Sequence, residues 1–143
     1  QSMFHTSAVK ELDVSKWNVS KVTNMYAMFH RAENIKELDM SNWDTSNLET
    51  TRELFTGLTQ ISVLDLSSWD LSKITIMTHM FGNVGNNNES INIIMNKTPL
   101  NSNVNLEALF DDSATNVTLV VKSEADKLLI DNLGYTNVTV IVG

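Results

Sequence analysis

The chain has 143 residues, 42% of them hydrophobic and 19% charged, with a formal net charge of −7 and no cysteine. This composition suits one folded domain or a piece of a longer repeat array, and it excludes disulfides, thiolate catalysis and zinc–thiolate sites. The acidic balance argues against nucleic acid, whose phosphates need a basic face, and no apolar run is long enough to span a bilayer.

No basic leader with an apolar stretch behind it opens the sequence. Residues 3–12, MFHTSAVKEL, read instead as the tail of a copy that starts upstream, so further copies are expected before residue 1. Three full copies follow: LDVSKWNVSKVTNMYAMF at 12–29, LDMSNWDTSNLETTRELF at 38–55 and LDLSSWDLSKITIMTHMF at 64–81. Trp17, Trp43 and Trp69 stand 26 residues apart, and a Phe closes each copy twelve residues beyond its Trp. Spacing and residue type kept together over three copies mark a structural repeat.

Within a copy, Val9, Leu12 and Val14 match Ile35, Leu38 and Met40, then Ile61, Leu64 and Leu66. Their alternation predicts a short half-buried strand with Asp13, Asp39 or Asp65 pointing outward. Ser20, Ser46 and Ser72 stand where helix N-caps are expected, and Ser46 with Glu49 forms a capping-box pattern. Met25, Met28 and Phe29, repeated as Met77, Met80 and Phe81 and partly as Leu54 and Phe55, then predict a short helix with one buried face. The middle copy departs from the others by carrying Thr51 in place of a Met.

After Asn83 the Trp motif ends. An Asn-rich loop, NVGNNNES, leads to a predicted strand at 91–95, and Leu106, Leu109 and Phe110 repeat the Met-x-x-Met-Phe spacing. Further strands are predicted at 117–121 and 138–142, separated by a helix with Ser123 as N-cap and Gly134 beyond its end. The division expected is residues 1–87 as repeats, the first truncated, and 88–143 as diverged repeats with a C-terminal cap. Together they make one continuous stack of about six parallel strands.

The stretch Ile35-x-x-Leu38-x-Met40 resembles the opening of a leucine-rich repeat, with Trp near the place of the ladder asparagine. More closely, LDxSxWDxSxxTxMxxMF is similar to the repeats of BspA-like leucine-rich repeat surface proteins of bacteria. The resemblance covers residues 12–87 and implies an α/β solenoid of leucine-rich type, with parallel strands on the concave face and short helices on the convex face. It also implies an extracellular, bacterial cell-surface setting and a non-enzymatic adhesion role, with a protein or glycan of a host or neighbouring cell as partner. A spacer or stalk that projects another domain, with no ligand of its own, is the alternative.

Candidate sites are few. His5, His30 and His79 fit no Ser-His-Asp or His-Glu-x-x-His arrangement and read as solvent-side positions beside a buried Phe. The Trp, Met and Phe columns read as core. No general-acid and base pair, phosphate-binding Gly loop or nucleophile elbow is present, so no catalytic residue and no cofactor is expected. The informative column is Asp13, Asp39 and Asp65, flanked by Glu11 and Glu37 and by Ser15, Ser41 and Ser67. Strands about 4.8 Å apart would set these carboxylates against one another at about 1 kcal/mol per pair in water-like dielectric. Hydrogen bonds from Ser hydroxyls or backbone amides would offset that repulsion, and so would a basic or hydroxyl-rich partner. Calcium needs six to eight oxygens in a cage, which a flat column does not supply, so no metal is expected.

Overall fold

The structure, a computed structural model, describes residues 10–88, 90–111 and 116–143. Four strands and one helix follow in the order β1 (Val63–Asp65), β2 (Ile91–Met95), β3 (Val117–Val121), α1 (Glu124–Asp131) and β4 (Val138–Val142). All neighbouring strands pair in parallel, in the spatial order β1-β2-β3-β4, which makes this a mixed α/β fold. The register aligns Leu64, Ile93, Leu119 and Val140 as one buried row. On the opposite face it aligns Val63, Asn92, Thr118 and Thr139, and beside them Asp65, Ile94, Val120 and Ile141.

Among the described residues, then, four strands form where about six were expected. The segments at 10–14 and 35–40 form no strand and do not join the ladder. Side-chain chemistry accounts for the difference. β2, β3 and β4 are rich in β-branched residues that fill both faces of a pleat. The earlier segments carry Lys10, Glu11 and Asp13, then Lys36, Glu37 and Asp39, whose solvation is served by open space between copies. Val9 and the rest of residues 1–9 lie outside the described residues.

The short helices expected after each Trp do not form; the only helix among the described residues is α1. Each of those segments is instead a run of tight turns stitched to the next copy. The N–H groups of Met25, Ala27, Phe29 and Arg31 donate to the carbonyls of Thr50, Arg52, Leu54 and Thr56 at 2.7–3.1 Å. Thr51, Glu53, Phe55 and Gly57 donate in the same way to Ile76, Thr78, Met80 and Gly82, and Met77, His79 and Phe81 to Asn105, Glu107 and Leu109. The alternate N–H groups close local turns, as when Met28 donates to Met25 and Ala32 to Phe29.

An α-helix needs every N–H directed four residues back along its own chain. Here half of them leave for the neighbouring copy, so a helix cannot coexist with this stack. The backbone records the same choice: Ala27, Arg31, Glu53, His79, Asn83 and Ala108 adopt φ between 49° and 57°, a left-handed region outside helix geometry. Gly57, at +80°, occupies the equivalent of Arg31 and Asn83 in the middle copy, with Arg31 Cα only 3.1 Å from where a Cβ would stand. The predicted apolar spacing was sound and its interpretation as helix was not, because Met-x-x-Met-Phe buries the same side chains in either conformation. Ser20, Ser46 and Ser72 accordingly cap no helix.

Two aromatic columns form the interior. Trp17, Trp43 and Trp69 stack at 6.2 and 5.8 Å between ring centroids. Phe29, Phe55, Phe81 and Phe110 stack at 5.4–6.1 Å, and Tyr135 closes that column edge-on at 5.4 Å. Trp43 and Trp69 are buried, as the core reading of these columns requires. The indole N–H of Trp43 donates to the Val14 carbonyl at 2.9 Å, which joins two copies through a side chain, whereas that of Trp69 is buried without a partner among the described residues.

Candidate functional site

Each acidic residue of the predicted column starts a corner, and Asp65 also ends β1. Asp13 accepts hydrogen bonds from the Ser15 backbone N–H at 3.0 Å and hydroxyl at 2.6 Å; Asp39 does the same with Ser41 at 3.1 and 2.7 Å. Asp65 accepts from the Ser67 N–H at 2.9 Å. These are Asx turns, in which the side chain stands in for a backbone acceptor and bends the chain. The Ser15 and Ser41 hydroxyls, and then their backbone amides, hold the carboxyls of Asp13 and Asp39 below the usual aspartate range. The negative charge of Asp13 acts on Asp39 in the opposite sense.

A second column of the same construction escaped the sequence reading. Asn18, Asp44 and Asp70 accept from the N–H of Ser20, Ser46 and Ser72 at 3.1, 3.1 and 3.0 Å and form the next corner. Its signal was visible as Asn-x-Ser and Asp-x-Ser one residue after each Trp, the same offset as Asp13-x-Ser15. Hydrogen bonds from Ser46 and Ser72, and after them the charge of Lys97, lower the pKa of Asp44 and Asp70. Lys97 Nζ itself donates to the Ser68 carbonyl at 2.9 Å, and Lys73 Nζ to Asn47 at 3.2 Å. That corner is a mixed-charge surface.

Where the first copies do not pair as strands, clefts open between them. One of them, of about 600 Å³, is lined by Lys36, Glu37, Leu38, Asp39, Gln60, Ser62, Val63, Asp65 and Asn88. A neighbouring cleft of about 470 Å³ is bounded by Lys10, Glu11, Leu12, Lys36 and Glu37. A slot of about 70 Å³ collects Asp39, Ser41, Asp65, Ser67 and Ser68 with Leu38 and Met40. Six of the eight predicted ligand-face residues are therefore brought together around these openings: Glu11, Glu37, Asp39, Ser41, Asp65 and Ser67. Asp13 and Ser15 bond to each other and line none of them.

The acidic column ends at Asp65. In register its next positions are Ile94, Val120 and Ile141, while Val63 continues as Asn92, Thr118 and Thr139. Lys36 and Lys10 soften the negative field of the clefts, and a carboxylate holding one Ser keeps further lone pairs for an incoming donor. The face thus offers acceptors to hydroxyl or ammonium donors. Among the described residues no three His, Asp or Glu side chains are placed to hold a metal ion.

His30 is half-buried, its Nδ1 3.4 Å from a Glu53 carboxylate oxygen, and His79 is exposed on a left-handed residue. Only His79 therefore occupies a solvent-side position of the kind expected; His30 is drawn in by the Glu53 of the next copy. His5 lies outside the described residues.

A family model described as "Mycoplasma protein of unknown function, DUF285" matches residues 1–118, most of the chain. The chain belongs to the DUF285 family. The match spans all three Trp copies, the 91–95 strand and the Leu106–Phe110 copy, and it reaches the first residues of β3. The segment containing α1 and β4 lies beyond it. No curated protein and no solved structure matches the chain significantly. No helix among the described residues of this DUF285 chain is long and apolar enough to cross a membrane.

Proposed function

We propose that the chain is a non-enzymatic binding module of a bacterial cell-surface protein, built as a leucine-rich-type solenoid that recognises a protein or glycan of a host or neighbouring cell. The surface setting and the leucine-rich reading rest on the resemblance of the LDxSxWDxS repeats to BspA-like proteins. The observation that carries the binding role is the cleft between the second and third copies, where Glu37, Asp39 and Asp65 meet across 26-residue neighbours with Lys36, Gln60 and Ser62 around them. Successive copies contribute to one opening there, which is how repeat proteins assemble extended ligand surfaces.

One observation favours the spacer reading. Asp13, Asp39 and Asp65 all serve Asx turns, so the repeated acid is required by the corner whether or not anything binds. The two readings separate experimentally. Asn can accept the same N–H, as Asn18 already does from Ser20, so Glu37→Gln/Asp39→Asn/Asp65→Asn removes charge and keeps the turns. The wild-type protein should attach to mucin, matrix protein or epithelial cells and release as salt rises, since exposed charges are screened within about 8 Å at physiological ionic strength. The triple variant should lose at least about tenfold in affinity, roughly 1.4 kcal/mol. Wild type that binds none of these surfaces would hand the role to the spacer. Undiminished binding by the variant would move the site off the acidic face.

A further inference from the structure

β1 has an open side within the stack, between two copies of the repeat. Its bonds to β2 come from even-numbered residues: Asn92 N–H donates to the Ser62 carbonyl at 3.0 Å, and Leu66 N–H to the Ile94 carbonyl at 2.7 Å. In a parallel ladder alternate residues turn their main-chain groups to opposite sides. The N–H and C=O groups of Val63 and Asp65 are therefore turned toward the second copy. At the period of 26, Val63 stands level with Glu37, and a continued ladder would join it to Lys36 and Leu38. That ladder is not made: among the described residues no main-chain bond links 35–40 to 61–66. The cleft of about 600 Å³ lies there, with Val63 and Asp65 in its lining and Val63 50% exposed.

We propose that this cleft takes an extended basic segment of a partner protein, which pairs its main chain with the open side of β1 and sets its cationic side chains among Glu37, Asp39 and Asp65. The inference rests on the binding role proposed above and narrows its ligand to a peptide. Two features choose that occupant over a glycan. An extended main chain presents N–H and C=O groups in the same alternation as Val63 and Asp65, so it satisfies donors and acceptors together. The lining also sets the carboxylates of Glu37, Asp39 and Asp65 against the single ammonium of Lys36, and it holds no aromatic ring on which a sugar would stack. A basic segment is complementary to that charge, and the field of a chain of net charge −7 draws it in.

Titration of the protein with an acetylated, amidated peptide of alternating lysine and valine should show saturable binding that weakens as salt rises. The same peptide methylated on its amide nitrogens keeps the charges and loses the donors, so it should bind about tenfold more weakly or worse. On the protein side, Val63→Pro removes an N–H that β2 does not use, a change that an edge position tolerates. It should weaken the unmethylated peptide by a similar factor while the thermal midpoint holds. Should that variant fail to fold, the methylated peptide tests the same bonds on unaltered protein. Equal binding of the two peptides, or full affinity in folded Val63→Pro, means that charge alone holds the peptide and overturns the pairing with β1. Wild type that takes glycans released from mucin and not the peptide overturns this inference and leaves the binding role standing; wild type that takes neither removes both.

Discussion

The copies between residues 12 and 81 and the sheet between residues 91 and 142 solve one problem in two ways. Each must hold a short unit against its neighbour, since no unit buries its apolar side alone. The Trp copies do it with corners and rings: Asx turns at Asp39 and Asp44, a ladder of N–H groups from the turn segments, and stacked indoles and phenyls. The C-terminal region does it with a parallel backbone ladder of β-branched residues. Where the two meet, side chains take over backbone roles. Thr98 Oγ1 accepts from Leu71 N–H at 2.7 Å, the Asp126 carboxylate from Leu100 N–H at 2.9 Å, and the Tyr135 hydroxyl from Phe110 N–H at 3.2 Å. Divergence from the repeat is therefore local replacement of one acceptor by another, with the stacking kept. It also leaves the strand face polar and cleft at one end and continuous at the other, which is why the candidate site falls in the first region.

The sharpest way to break the comparison is to remove a ring. Trp43→Ala should cost ~4 kcal/mol, because a buried indole is lost between two others and its bond to Val14 goes with it. The half-buried Trp17 should cost less when truncated in the same way. Trp69→Phe should be milder than Trp43→Phe, since only Trp43 surrenders a hydrogen bond. Thermal denaturation of the set checks this order, and a Trp43→Ala midpoint within about 2 °C of wild type would contradict the ring-stacked interior.

Next in size is the junction itself. Asp126 is 2% exposed, accepts from Leu100 N–H, and takes the Ser123 hydroxyl at 2.8 Å while Ser123 caps α1. Asp126→Ala should cost about 2–3 kcal/mol by leaving a buried N–H unpaired. Hydrogen exchange should show the loss at Leu100 and in α1 with little change at Phe29. Uniform loss of protection would mean the two regions unfold as one unit.

The smallest effect is on pH. Asp13, Asp39, Asp44 and Asp70 all have pKa values lowered on folding, chiefly by their Ser hydroxyls. A lowered acid contributes stability that is present above its unfolded value, about 4, and is lost as pH falls through the folded value. The native protein should therefore weaken gradually on acidification below about pH 4. A variant with Asn at these positions keeps the turns without the titration, so its acid-induced loss should be shallower. An identical acid profile would show that the Asx corners are not what acid releases.

Much of this was legible along the chain. The 26-residue period, the core identity of Trp43, Trp69, Phe55 and Phe81, the strands at 91–95, 117–121 and 138–142, and α1 with Ser123 at its cap follow from pattern and propensity. Those signals are local: alternation for a strand, a capping Ser, Gly134 at φ +77° after a helix. Six of the eight predicted face residues do gather at clefts. What only the tertiary structure decided is where each backbone N–H goes. Met25 to Phe29 carries a helix-like spacing, yet its amides find carbonyls on Thr50, Arg52 and Leu54, and bonds to a neighbour 26 residues away leave no local trace. Whether Asp39 faces a ligand or its own corner was equally undecidable from residue type, because a carboxylate two residues before a Ser serves both, and only folding sets the distance to Ser41 at 2.7 Å.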